Sequence, residues 1–148
     1  MSRSSYKYQY SVPVALHGYD AQVYFGPAPR NVGPDFEMAF MRIWGNFITQ
    51  NNPSISNAIA NGFSFADATA PNPASSWPEF SVYAPYQMNL NQTGGTPTEV
   101  MGQGNGNLTV LAGPGQMNDL ELVNAYTWEG GRGIRCDFWR SVGGLVPE

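Results

Sequence analysis

Tyr6-Lys7-Tyr8-Gln9-Tyr10-Ser11-Val12-Pro13 runs straight into Val14-Ala15-Leu16-His17-Gly18-Tyr19-Asp20, and this passage governs how the rest of the chain is read. Aromatic and polar residues alternate from Tyr6 to Val12. A period of two with this much tyrosine is a β-strand pattern, because successive strand side chains point to opposite faces. Pro13 ends the strand, since proline has no N–H to give to a ladder. Val14 to Gly18 is then a short exit that carries the only histidine. An α/β layer needs several strands side by side, and no other segment offers this one an obvious parallel partner. A buried strand needs neighbours for its N–H and C=O groups on both sides. The expectation is therefore one end of a larger sheet, not a self-contained one.

The clearest helix follows. Gly33-Pro34-Asp35 is a good start, because proline suits the first turn and aspartate can cap it or favour the positive end of the dipole. Phe36, Phe40, Trp44, Phe47 and Ile48 fall at helical spacing, with Met41 and Ile43 widening the stripe. Gln50-Asn51-Asn52-Pro53 stops it. Such an aromatic stripe is read as core. Residues 57–77 read as loop. Phe80 to Val82 and Tyr86 to Leu90 read as short strands, Gly94-Gly95 as a turn and Thr96 to Met101 as the returning strand of a hairpin. The Gly102–Gly106 stretch reads as flexible, and Gly113-Pro114-Gly115 as a further break. Asp119 to Trp128 fits a short helix or a strand. Gly130-Gly131-Arg132-Gly133 breaks the chain before a final packed helix over Arg135 to Val142.

Composition narrows the function classes. The 148 residues are 42% hydrophobic, 14% aromatic and 12% charged, which suits one domain with a core and not a disordered chain. The net charge is −4, and the 7 Lys and Arg form no run, so the electrostatic footprint of a nucleic-acid binder is missing. No stretch approaches the ~18 to 20 apolar residues of a membrane span. One Cys and one His fall short of a structural zinc site, which takes about four ligands, and rule out an internal disulfide framework. Gly102, Gly104 and Gly106 have the wrong spacing for a nucleotide loop. No metal or cofactor is expected. No internal repeat or domain boundary is visible, so residues 1–148 are read as a single partial domain.

Residues 1–8 lack an apolar signal core and a cleavage site, so no secretory signal is visible. Asn91-Gln92-Thr93 and Asn107-Leu108-Thr109 are nevertheless acceptable glycosylation sequons. Two sequons also arise by chance in a chain rich in Asn and Thr. If they are used, the secretion signal lies on sequence outside this chain.

His17 is the first candidate for chemistry. A strand-exit loop lets a rigid sheet aim a ring that the loop exposes. Imidazole, with an ordinary pKa of ~6.5, can take a proton from a hydroxyl and return it to a leaving group near neutral pH. From position alone a lone histidine is more often a surface or core residue than a catalyst.

A wider pattern bears on this. His17-Gly18-Tyr19-Asp20 followed by Phe25-Gly26 resembles the histidine segment of the type B carboxylesterases, the cholinesterase and lipase family, where a His-Gly-Tyr-Glu-like run precedes Phe-Gly. Further on, Met41-Arg42-Ile43-Trp44-Gly45-Asn46-Phe47 with Asn52-Pro53 is similar to that family's last long helix. Trp77-Pro78-Glu79-Phe80 resembles its Trp-Pro-x-aromatic signature, Tyr86 to Leu90 its late strand, and Arg135-Cys136-Asp137-Phe138-Trp139 its Arg-x-Cys-x-Phe-Trp terminus. The resemblance is colinear over nearly the whole chain. Each motif is short, and their order carries the likeness. The Gly-rich stretch after Met101 is similar to the secreted fungal branch.

The resemblance implies the C-terminal portion of an α/β-hydrolase fold, with an incomplete sheet: a last strand with its histidine loop, a long helix, a hairpin and a terminal helix. It implies a secreted serine esterase or lipase with a Ser, acid, His chain order, acting on a carboxylic ester bound by the longer parent protein. Only His17 carries over, as general base and then general acid. The nucleophile, the acid and the oxyanion hole precede the histidine in the family and are not on this chain, so alone it is expected to be inactive. Asp20 aligns with a family acid outside the triad and is read as a local structural carboxylate. The family often has a half-cystine at the position of Cys136; with no partner here, Cys136 is either an orphaned half-disulfide or a buried free thiol.

Gly62-Phe63-Ser64-Phe65-Ala66 nearly spells a nucleophile elbow, but it lacks the last glycine and follows His17, the wrong order. Two non-enzymatic readings stand beside the hydrolase. One is a binding or adhesion module of the same fold that has lost catalysis. The other is a free-standing secreted module using Trp44, Trp77, Trp128 and Trp139, although large aromatics are mostly core. A partial sheet would leave the tyrosine strand and the helical stripe without covers.

Overall fold

The computed structural model describes residues 4–101 and 106–145. Among them the architecture is mixed α/β, with three helices and a three-stranded sheet in the order β1-β2-β3. β1 is Tyr8–Tyr10, the centre of the tyrosine alternation. The pairing reaches one residue past each end, where the Met88 N–H donates to the Lys7 carbonyl and the Ser11 N–H to that of Leu90.

Helix α1, Pro34–Gln50, lies where its start and stop signals place it. Asp35 does not cap it: Gly33 holds the cap position, and the Asp35 carboxylate accepts from the Ser64 N–H at 2.9 Å. Asn51 closes the helix in the left-handed conformation, its N–H on the Phe47 carbonyl. Phe36, Ala39, Phe40 and Ile43 are buried and Trp44 and Phe47 half-buried, whereas Met41 and Ile48 are exposed. The apolar stripe is therefore centred on Phe40 and narrower than the spacing predicts.

That stripe packs on β1. Tyr8 meets Phe40 and Trp44 edge-on, and Tyr10 meets Phe36 and Phe40, with ring centroids about 6 Å apart. Strand and helix cover one another, so neither lies bare as a partial sheet would suggest. Such aromatic contacts add ~0.5–1.5 kcal/mol each beyond their area burial.

The tyrosine strand also has the parallel partner its own sequence hides. It pairs with β2, Tyr86–Met101, placing Tyr8 opposite Met88 and Tyr10 opposite Leu90. The partner lies far along the chain, after α1, and its other edge pairs antiparallel with β3, Asn107–Asn124. Tyr8, Met88 and Leu122 thus share the face under α1, as do Tyr10, Leu90 and Leu120. The outer edge of β1 has no strand beside it among the described residues.

Gly94-Gly95 is not a turn. β2 runs through it, and the register shifts there: Gly94 faces Gln116 and Thr96 faces Ala112, so Gly113-Pro114-Gly115 stand opposite Gly95. The two glycine-rich breaks of the sequence are the two sides of one bulge, a device that bends a ladder without ending it. β2 ends at Met101 and β3 begins at Asn107; residues 102–105, most of the expected flexible stretch, lie outside the described residues. Phe80 to Val82 forms no strand. Asp119 to Trp128 divides into the end of β3 and the start of α3, Trp128–Val142.

Residues 57–77 are not all loop. They hold α2, Asn57–Asn61, capped by the Ser56 hydroxyl on the Ile59 N–H, and a 3-10 turn, Pro73–Ser76, capped by the Asn72 side chain on the Ala74 N–H. Capping groups make these short pieces, which are too brief for a periodic signal. Helix α3 kinks at Glu129-Gly130-Gly131, all at positive φ, and is not packed as expected. Ile134, Phe138 and Trp139 are 59%, 57% and 63% exposed. The helix meets the body at Gly133, where a β-carbon would collide with the Tyr126 ring, and through the Tyr126 hydroxyl on Asp137 and the Gln9 amide on Glu129. Trp77 is buried and Trp44 half-buried, so those two are core, and Trp139 is not. No helix of the described residues is long and apolar enough to cross a membrane.

Candidate functional site

The exit from β1 is built by short-range bonds. The Leu16 N–H donates to the Val14 carbonyl, that of Tyr19 to Leu16 and that of Ala21 to Gly18. Gly18 takes φ +77°, which a β-carbon would disfavour, and starts a 3-10 turn over Tyr19–Val23. His17 sits on the crest of this turn, exposed to solvent. Its ring makes no hydrogen bond among the described residues. The sheet fixes the root of the turn, since Val12 just before it is 1% exposed.

Asp20 faces away from the histidine's task. Its Oδ2 accepts from the Tyr8 hydroxyl at 2.7 Å and from the Tyr24 hydroxyl at 2.8 Å, and the two hydroxyls lie 3.1 Å apart. This carboxylate ties β1 to the turn, a structural role. Burial, then the bonds to Tyr24 and Asp20, push the Tyr8 phenol well above its ordinary range. Burial and the Asp20 charge push Tyr10 up to about 12. Burial also raises Tyr24.

The other candidates lie elsewhere. Asn91 is half-buried in β2 opposite Asp119, with its Oδ1 buried and unpartnered. Asn107 is exposed at the start of β3, its Nδ2 3.3 Å from Glu99 Oε2. Ser64 lies in a loop, not on a strand-to-helix turn. Cys136 is free and exposed, which removes the buried-thiol reading. It borders a cavity of about 380 Å³ with Lys7, Phe80, Arg132 and Arg140, where Arg140 pairs with Asp137 at 2.9 Å and Arg132 pairs with Glu129. No group of three His, Cys, Asp or Glu side chains gathers to hold a metal among the described residues.

A second polar cluster escapes the sequence reading. Where α1 begins beside the bulge, Gln92, Gln116 and Asn118 from β2 and β3 border a cavity of about 290 Å³. The only sequence trace of it is the pair of glycine breaks, which reads as turns until the strands are paired. No family model, curated protein or solved structure matches the chain.

Proposed function

We propose that this chain is the C-terminal part of a serine carboxylic ester hydrolase and that His17 is its proton-transfer residue. The supporting observation is the placement of His17: an exposed residue on a turn rooted in an edge strand, with no partner competing for its ring nitrogens among the described residues. In the proposed reaction a serine hydroxyl on chain outside these residues attacks the ester carbonyl carbon and its proton passes to the His17 ring. The ring returns that proton to the departing alcohol as the ester C–O bond breaks. It then takes a proton from the water that attacks the acyl-serine carbonyl and returns it to the serine oxygen as the acyl C–O bond breaks and the acid leaves. The open edge of β1 is where further strands of such a sheet would join, and the ester is bound by the parent protein. Secretion of that parent, with Asn91 and Asn107 as carbohydrate attachment points, belongs to the same reading.

The test is made on the chain and on its longer form. The purified chain should neither turn over p-nitrophenyl butyrate beyond free imidazole nor label with a fluorophosphonate. Joined to upstream sequence carrying Gly-x-Ser-x-Gly and the acid, it should hydrolyse the ester, and His17→Ala should lower kcat by ~10⁴-fold or more. Stoichiometric labelling of the chain alone, or full activity of the long form with His17→Ala, overturns the proposal.

A further inference from the structure

The cavity beside the bulge is lined by amides fixed at one end and open at the other. Gln92 and Gln116 are only 8% and 9% exposed. Gln92 Oε1 accepts from the Gly33 N–H at 3.1 Å, and Gln116 Nε2 donates to the Asn31 and Leu111 carbonyls, each at 3.0 Å. The opposite ends, a donor on Gln92 Nε2 and an acceptor on Gln116 Oε1, have no protein partner among the described residues. Asn118, on the same wall, gives its Nδ2 to the carbonyls of Asp35, Ile59 and Ala60 and leaves Oδ1 buried and unpaired. Buried polar atoms are seldom left unmatched.

These ends converge. A β-carbon on Gly33 would stand 3.0 Å from Gln92 Nε2 and 3.2 Å from Gln116 Oε1. The bulge makes the convergence possible, since a side chain on Gly95 would come within 2.8 Å of Gln116 Cγ. The first turn of α1 adds N–H groups without helical partners, and the Asp35 carboxylate already supplies the negative charge such a terminus favours. A free donor, a free acceptor and a carboxylate side by side suit hydroxyl groups, which both give and take; Arg30 lines the cavity too, and the Asp35 carboxylate opposes its pull on an anion. Val32, Phe36 and Pro114 supply apolar wall for a C–H face. The volume lies near the ~300 Å³ lower end of ligand sites, room for one ring.

We infer that this cavity binds a single neutral sugar ring. The inference shares no residue with His17 and stands apart from the hydrolase reading.

The experiment is a ¹H–¹⁵N titration of the chain with glucose, galactose, mannose and xylose in turn, with inorganic phosphate and acetate as anion arms. A saturable shift of the Gln92 and Gln116 side-chain amides and the Gly33 and Asp35 backbone signals is expected for at least one sugar. Gly33→Ala, at a φ of −74° open to alanine, should crowd the Gln92 and Gln116 amides and weaken binding by about tenfold or more. Gln92→Glu, which keeps an oxygen for the Gly33 N–H and replaces the free donor by an acceptor, should do the same and covers the case in which Gly33→Ala does not fold. No saturable shift with any sugar, stronger shifts of the same signals with phosphate or acetate, or wild-type affinity in a folded variant overturns the inference.

Discussion

Tyr8 donates its phenolic hydrogen to the Asp20 carboxylate at 2.7 Å, and this bond joins the edge strand to the turn that displays His17. Tyr24 donates to the same oxygen. One carboxylate therefore serves two phenols on the flank of the aromatic core, where Tyr24 stacks on Phe40 with centroids 5.5 Å apart.

Removing that acceptor leaves two part-buried hydroxyls with only each other. Asp20→Ala is expected to cost about 1–3 kcal/mol, read from urea denaturation. Tyr24→Phe, which keeps the ring and deletes one hydroxyl, should cost about 1 kcal/mol or less. A loss for Asp20→Ala no larger than that for Tyr24→Phe would show that the carboxylate does not organise the pair.

The raised phenols link stability to alkaline pH. Unfolded tyrosine ionises near ~10, while Tyr10 is held up to about 12 by burial and the Asp20 charge, and Tyr8 and Tyr24 are raised as well. Above ~10 the unfolded state loses protons that the folded state keeps, so the contribution is whole below that pH and is lost as pH rises through the folded values. Urea midpoints should fall between about pH 10 and 12, and Tyr10→Phe should flatten the fall. A flat profile in that window contradicts the assignment.

The bulge rests on glycines of unequal importance. Gly94 has φ +72°, and a β-carbon there would stand 2.2 Å from the Gly115 carbonyl oxygen, whereas Gly113, at φ +75°, faces open space. Gly113→Ala should cost about 1–2 kcal/mol from conformation alone. Gly94→Ala should cost clearly more, about 3 kcal/mol, because backbone must move as well. Equal losses in denaturant melts would mean that the close approach across the bulge is absent in solution.

Helix α3 predicts a surface signature. Trp139 is 63% exposed while Trp77 is 6% exposed, so iodide should quench the Trp139 fluorescence and spare that of Trp77. Trp139→Phe should remove much of the quenchable emission and alter stability by no more than ~0.5 kcal/mol. Cys136 on the same helix should react with a disulfide reagent in the native protein without denaturant. Slow reaction and unquenched emission together would place α3 against the body.

Local chemistry written in neighbouring residues was legible. The tyrosine alternation names β1, although the strand stops at Tyr10, short of Pro13, and the Gly33-Pro34 start and the Asn51 stop bound α1, because steric and hydrogen-bonding limits act within a few residues. The structural role of Asp20 was read only through the resemblance to the esterase family, not from its neighbours. The partner of β1 was not legible, since parallel pairing joins segments separated by a long crossover and leaves no local trace. Gly94-Gly95 reads as a turn for a related reason: a glycine pair states where the backbone is freed, and only the paired strand opposite decides whether it reverses or bulges. The final helix has apolar residues at packable spacing, yet whether Phe138 and Trp139 are covered depends on what lies beside them in space. The convergence of Gln92 from β2 with Gln116 from β3 beside Gly33 belongs wholly to the tertiary structure, because three distant segments meet there and no local pattern records the meeting.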